Sequence, residues 1–470
     1  MRKPVVAIFS HSHPFYSKGG GEVVAYNSFQ SMLQAGQDVH LYSAINTKSK
    51  PNLSIFHPGE FLLPYAERQY LFAVHGLEGF TFTHENRSFF PQLLALLKSQ
   101  KVDVFHFHHF WNVGVDTICY LMSAFPEAKF VITLHEFLAI CHRDGQMTKT
   151  GNNALCTRAS DIDCHICFPE IDKHAFRARR RLFNQFLSRF DLITAPSEFL
   201  ASRFVEWGLT KDIYVLENGY ERPAGEDERT LSPALTTRFA FFGQPTRFKG
   251  VDIFVAAAQR AVANGPSDSS FAIYGCDQEQ FLQQFGEHWK PALEQLGARL
   301  QFMGMYEPSQ VCQLMRQNGW IVVPSIWWEN SPLVIQEAFL AGRPPIVADI
   351  GGMREKVKHG VTGLHFLARN IASLAETFVT ASGDMGLWTR LRAARALPPT
   401  MAEMNNYFLQ LYETVKKPSG AQDIVDAAAE PVPQDSPRQD SPKQDSPRQT
   451  APKKETSKRA ASRKEAKAAV

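Results

Sequence analysis

Trp327-Trp328-Glu329-Asn330-Ser331-Pro332-Leu333-Val334-Ile335-Gln336-Glu337-Ala338 sets two glutamates eight residues apart. Just upstream, Gly319-Trp320-Ile321-Val322-Val323-Pro324-Ser325 reads as a buried strand stopped by proline. From Leu333 to Ala341 apolar residues recur at helical spacing, which predicts a helix with Ser331 as its N-cap and Pro332 at its first position. A strand that feeds a helix in this way points unpaired backbone N–H groups and a partial positive charge into the loop between them, a natural seat for a diphosphate. Glu337, about a turn and a half into the helix, is then placed to accept hydrogen bonds from a ribose. Glu329, in the loop, is placed to reach a sugar beyond the diphosphate. Two solvated glutamates beside a core helix form the competing reading, and the residues that follow decide between them.

Those residues are Ala341-Gly342-Arg343-Pro344-Pro345-Ile346-Val347-Ala348, then Gly351-Gly352-Met353-Arg354-Glu355 and Gly360-Val361-Thr362-Gly363-Leu364. The whole run resembles the donor-binding segment of glycosyltransferase family 4, retaining sugar-nucleotide transferases of the GT-B fold. Glu329 and Glu337 match that family's E-x7-E motif. The resemblance implies an α/β chain with two doubly wound Rossmann-like domains facing a shared cleft. It implies a nucleoside-diphosphate sugar donor, a sugar or lipid-linked acceptor, and no cofactor for catalysis. A place in bacterial-type surface polysaccharide or glycoconjugate synthesis goes with it.

Length and composition agree with such a chain. At 470 residues it is long enough for two domains with additions, and 44% hydrophobic with 21% charged residues is ordinary for a soluble enzyme. A formal charge of +3 gives no reason to expect nucleic acid as a partner. No apolar run is long enough to span a bilayer. The basic-then-apolar start, Met1 to Ser10, has too short an apolar run for a signal peptide and reads as a first strand, so the expected location is cytoplasmic.

Strands are predicted at Val5–Phe9, Val39–Tyr42, Val104–Phe107, Phe130–Leu134, Leu192–Ala195 and Tyr214–Leu216, with helices at 22–35, 173–189 and 197–207 between them. This alternation predicts a first α/β domain over 1–220, with a cysteine-rich insertion at 140–170. Asn218-Gly219 and Glu221–Thr230 read as a linker. The rhythm restarts at Phe239–Gly243 and continues through Phe271–Tyr274, Leu300–Met303, Trp320–Val323 and Pro345–Ala348, giving a second domain over 232–398. By the resemblance, a helix within 399–416 packs back on the first domain. From 418 to 470 a Gln-Asp-Ser-Pro-Arg/Lys repeat and a basic end have too few apolar residues to form a core, which predicts a disordered tail.

Several further groups are candidates. Gly19-Gly20-Gly21-Glu22 follows the first strand and opens a helix, so Gly20 and Gly21 let a phosphate or sugar approach the backbone; a plain flexible loop is the alternative. The family has a Gly-Gly loop here. Lys249, in Phe242-Gly243-Gln244-Pro245-Thr246-Arg247-Phe248-Lys249-Gly250, matches the family's phosphate-binding lysine. Gln244 stands where most members carry arginine, and Arg247 is a candidate replacement cation. Thr133-Leu134-His135-Glu136 resembles the family's T-x-H-D, which makes His135 a sugar-hydroxyl ligand or proton-handling group. In Val104-Phe105-His106-Phe107-His108-His109, alternation puts His106 and His108 on one face and His109 on the other, read without a metal.

Cys141, Cys156, Cys164 and Cys167 have a spacing suited to a structural Zn²⁺ in a segment short of apolar residues; free or redox thiols and an iron–sulfur cluster are the alternatives. Arg177, Arg179, Arg180 and Arg181 lie on an amphipathic helix able to rest on an anionic membrane, or simply to form a solvated face. The resulting expectation is a retaining transferase in which Lys249, Arg247 and the helix start at Asn330, Ser331 and Leu333 stabilise the leaving diphosphate. Glu337 holds the ribose, and Glu329 and His135 attend the sugar. A catalytically silent GT-B scaffold, kept in play by Gln244, is the rival.

Overall fold

Short runs of β-branched and aromatic residues alternate with helices along the chain, and each run becomes a strand of one of two sheets. The computed structural model describes residues 2–17, 19–46, 55–57, 59–222, 233–264 and 268–415. The linker from 223 onward and the repeat-bearing tail therefore lie outside the described residues.

The first sheet has eight strands: β1 (Val6–Ser10), β2 (Val39–Asn46), β3 (Leu62–Ala66), β4 (Gln69–Val74), β5 (Val104–Phe107), β6 (Lys129–Thr133), β7 (Leu192–Ala195) and β8 (Ile213–Val215). Their order is β3-β4-β2-β1-β5-β6-β7-β8. All pairs are parallel except β3 with β4. That hairpin was not expected from sequence. Pro64 confines β3 to the sheet edge, and Arg68, at φ 56°, makes the turn.

The second sheet has six strands, all parallel: β9 (Arg238–Phe242), β10 (Ser270–Tyr274), β11 (Leu300–Gly304), β12 (Trp320–Val323), β13 (Pro345–Ala348) and β14 (Leu364–Phe366). Their order is β11-β10-β9-β12-β13-β14. Only the three-residue β14 lacks a sequence counterpart.

Both sheets are covered on both faces, as parallel sheets must be. Phe9, Phe72, Phe105 and Phe107 fill one side of the first sheet. On its other side Val6, Ile8, Phe29 and Val104 pack with Met401, Met404, Phe408 and Tyr412 of the helix Met401–Thr414. A capping box between Thr400 and Glu403 starts that helix, and buried Ser28 donates to Asn405 Oδ1 at 2.6 Å. The last helix thus follows the second sheet in sequence but is buried on the first.

The topology also fixes where a ligand fits. In the first sheet β1 lies between β2 and β5, and in the second β9 lies between β10 and β12. At both places the chain reverses its direction of travel across the sheet, opening a crevice at the strands' carboxyl ends. His11, the glycine loop, His108 and His109 follow β1 and β5. Lys249 and Glu329 follow β9 and β12.

Candidate active site

Glu329 is buried in the loop after β12. Its Oε1 accepts from Lys249 Nζ at 2.7 Å, Ser325 Oγ at 2.8 Å and Trp327 Nε1 at 2.9 Å. Burial pushes its carboxyl up, but the Lys249 ammonium and these donors outweigh that and hold it below the usual glutamate value. Glu329 is therefore an ionised carboxylate at neutral pH.

Lys249 ends a short 3₁₀ turn, Arg247–Lys249, closed by Gly250 at φ 70°. A Cβ on Gly250 would lie 2.0 Å from the Pro324 carbonyl oxygen, so only glycine lets the loops after β9 and β12 come this close. Arg247 is exposed and forms no ion pair among the described residues. Lys249→Ala strips a buried carboxylate of its counter-charge and is expected to slow turnover by about 100-fold. Arg247→Ala should cost less than about 10-fold. Nucleoside diphosphate release measures both, and a larger loss at Arg247 would move the phosphate cation to that residue.

The helix begins at Leu333 rather than at Pro332, and Ser331 does not cap it. Pro332 itself stays extended, with ψ 118°, which delays the first turn by one residue. Asn330 Oδ1 and Ser331 Oγ are buried at the mouth of the helix and have no hydrogen-bond partner among the described residues. Such groups cost about 1–3 kcal/mol each unless something else satisfies them. Glu337, farther along, accepts from the Tyr220 hydroxyl at 2.6 Å; burial raises its pKa against the lowering effect of that bond.

The facing wall comes from the first sheet. The helix Gly20–Gln34 starts at the glycine loop. A Cβ on Gly20 would stand 3.7 Å from Leu333 Cδ1, and one on Gly21 would stand 3.6 Å from the His135 ring. Asn330 Nδ2 donates to the His135 carbonyl at 2.8 Å. Gly20, Gly21, His135, Asn330 and Leu333 therefore adjoin, whereas Glu337 and Tyr220 form a separate pair farther along the helix.

His135 Nε2 lies 3.0 Å from His108 Nδ1. Burial, reinforced by His109 and His11, pushes the His135 pKa down to about 3, so the ring is neutral. His106 and His108 share a face, as their alternation predicts. His106 is pinned between the Tyr412 hydroxyl at 2.6 Å and Thr133 Oγ1 at 2.7 Å. His109, on the opposite side, stands 3.0 Å from Glu136 Oε1, and burial lifts Glu136 to about 8. His11 Nε2 is 2.9 Å from Glu22 Oε1; burial raises the Glu22 pKa, but bonds and charge from His11 and Ser17 bring it to about 2.

Sequence reasoning missed His11, Glu22, Ser325, Trp327 and Tyr220. His11 and Glu22 had an available signal, because polar residues directly after a first parallel strand sit at a switch point. Tyr220 had none, since only the fold brings it to Glu337.

Cys141, Cys156, Cys164 and Cys167 form no disulfide. Among the described residues no three His, Cys, Asp or Glu side chains are arranged to hold a metal ion. Cys164 has Cys141, Cys156 and Cys167 as electrostatic neighbours, and hydrogen bonds also order this insert. Arg143 donates to Thr148 Oγ1, the Lys149 carbonyl and Asn153 Oδ1 at 2.8–3.0 Å, and Lys149 Nζ pairs with Asp163 at 3.0 Å.

The arginine helix forms at Lys173–Ser188, but one of its arginines is not where a solvated face would put it. Arg179 is not on a solvated face but buried, donating to the carbonyls of Phe80, Leu138 and Ala139. Arg177 and Arg180 pair with Asp161. Among the described residues no helix is long and apolar enough to cross a membrane.

Comparison with known proteins agrees with this architecture. Residues 18–222 match the family described as Glycosyltransferase Family 4, and residues 236–384 match Glycosyl transferases group 1. Both matches are to glycosyltransferase families, and together they take in the two sheets of a GT-B fold. The chain is 29% identical to D-inositol 3-phosphate glycosyltransferase of Nocardia farcinica over 35% of its own length and 36% of the relative. It is 28% identical to glycogen synthase of Mycobacterium tuberculosis, over 39% and 43%. The matches thus span less than half the length of either relative. Among solved structures, sucrose-phosphate synthase of Thermosynechococcus elongatus superposes with a TM-score of 0.59 at 16% identity, covering 88% of this chain and 98% of that one. Anabaena HepE, solved with UDP and glucose, gives 0.57 at 16%, covering 87% and 100%. At such identities the likeness shows the fold.

Proposed function

We propose that this glycosyltransferase moves a sugar from a nucleoside-diphosphate donor to an acceptor with retention of anomeric configuration. The observation that carries the reading is the helix start between Glu329 and Glu337, where Asn330 Oδ1 and Ser331 Oγ are buried and have no partner among the described residues. In this reading the backbone N–H groups at Leu333 and the Lys249 ammonium take the diphosphate, whose charge grows as the bond to the sugar breaks. Glu337 fixes the ribose. Glu329, already ionised, accepts from hydroxyls of the donor sugar, and the neutral His135 ring borders the same space. In this reading the leaving phosphate, rather than a protein side chain, takes the acceptor's proton. A structural zinc at the four cysteines forms no part of this proposal.

The acceptor, a sugar or lipid-linked sugar, approaches from the first sheet. Peripheral contact with anionic lipid belongs to the same proposal. Ile162 and Ile166 are 65% and 68% exposed one helical turn apart, with exposed Lys173 and Arg181 on the next helix.

The test is thermal unfolding with UDP-, GDP- and ADP-sugars. A donor at 100 times its Kd adds about 2.7 kcal/mol of stability. One nucleotide class is expected to raise Tm and to be consumed with release of its diphosphate. Binding without turnover on any acceptor would favour a silent scaffold, and no shift with any nucleotide would sink the donor site.

A further inference from the structure

We infer that the cysteine-bearing insert, residues 140–170, is a clasp between the two sheet domains that positions Glu329 through Trp328. Its functional meaning rests on the donor role proposed for Glu329; the clasp itself rests on geometry.

Trp328 belongs to the loop after β12, yet its indole packs against the hydrophobic core of the first sheet. Its ring lies 5.2 Å from that of Phe199, and its Nε1 donates to the Cys156 carbonyl at 3.1 Å. Gly351, at φ 57°, sits close against both rings, since a Cβ there would stand 3.3 Å from each.

Two further contacts join the insert to the donor-side loops. Arg369 donates to the Asn153 carbonyl at 2.5 Å and also to the Ile326 carbonyl, and the Arg143 guanidinium lies 5.9 Å from the Phe248 ring. The insert therefore touches the loop that carries Lys249 and the loop that carries Glu329.

Glu329 stands between two residues tied to the first lobe: Trp328 through Cys156 and Asn330 through the His135 carbonyl. Its own carbonyl accepts from Gly352 N at 2.7 Å. Parting the lobes must break both flanking ties, and bringing them together restores them. The carboxylate's position is thereby coupled to closure. Trp328 acts through Glu329 because its N–H and ring face are already engaged by the protein, which makes it a positioning residue.

The test is Trp328→Phe in the full chain, which removes the N–H and keeps an aromatic ring against Phe199. Hydrogen exchange without ligand reads the clasp directly, and amides around Asn153 and Cys156 should exchange about 10-fold faster than in the wild type. With UDP-glucose, GDP-mannose and ADP-glucose as probes, kcat should fall about 10-fold while nucleoside diphosphate affinity stays within about twofold. The share of donor lost to water should rise. Unchanged exchange in the insert overturns the clasp. Faster exchange with unchanged kcat and hydrolysis overturns its positioning role, as does affinity that falls in step with kcat. A wild-type chain that binds none of these nucleotides overturns the donor reading and the role built on it, while the exchange result still reports the contact.

Discussion

Glu329→Gln is expected to slow sugar transfer by about 100-fold or more, with nucleoside diphosphate affinity within about threefold of wild type. Glutamine keeps an oxygen for Ser325 and Trp327 but removes the charge that balances Lys249, 2.7 Å away. The sugar then loses an ionised acceptor, and the ammonium loses the partner that fixes its direction. Glu337→Ala should show the opposite division. It removes the acceptor of the Tyr220 hydroxyl and the proposed ribose ligand, weakening nucleotide binding by about 2 kcal/mol. Isothermal titration and steady-state rates on both variants check this. Equal losses of affinity in the two would mean that the glutamates do not divide sugar from nucleotide.

Stability should fall steeply as pH drops from 6.5 towards 5. His106, His108 and His109 are almost fully buried, and burial, followed by neighbouring groups, holds all three well below the ordinary 6.5, with His106 near 3. Below pH 6.5 the unfolded chain takes up protons on these rings while the folded chain does not, so acid favours unfolding. Each ring costs up to about 1.4 kcal/mol per pH unit, and the three together of order 3–4 kcal/mol between pH 6.5 and 5.5. Glu136, raised to about 8, works in the opposite sense and offsets part of the loss above pH 4.5. Glu22, lowered to about 2, adds a further loss below pH 4.5. Urea unfolding at a series of pH values reads the slope, and a flat profile over this window would show that the rings protonate without unfolding.

Local physics made much of this chain legible from its residues. Strands β5, β7, β12 and β13 lie where apolar runs bounded by turn residues predicted them, because a doubly covered parallel strand needs continuous apolar sequence. The strand–loop–helix around Glu329 and the glycine-opened helix after β1 are local too and were readable, except that the first of these helices starts later than a Ser331 cap with Pro332 in first position predicted. The β3–β4 hairpin was not, because an edge pair mixes Pro64 and Tyr65 with Gln69 and carries no clear period.

Only the tertiary structure decided which groups meet. Glu329 with Lys249 joins residues 80 apart, Glu337 with Tyr220 residues 117 apart, and Trp328 with Cys156 residues 172 apart. Arg179 shows the same limit. Its helical periodicity placed it on a basic face, and its burial was set by three carbonyls from distant loops. A sequence pattern records what each segment would bury or expose by itself. Partner identity and ionisation depend on distance and dielectric, and these exist only once the two sheets have folded and their switch points face the same loops.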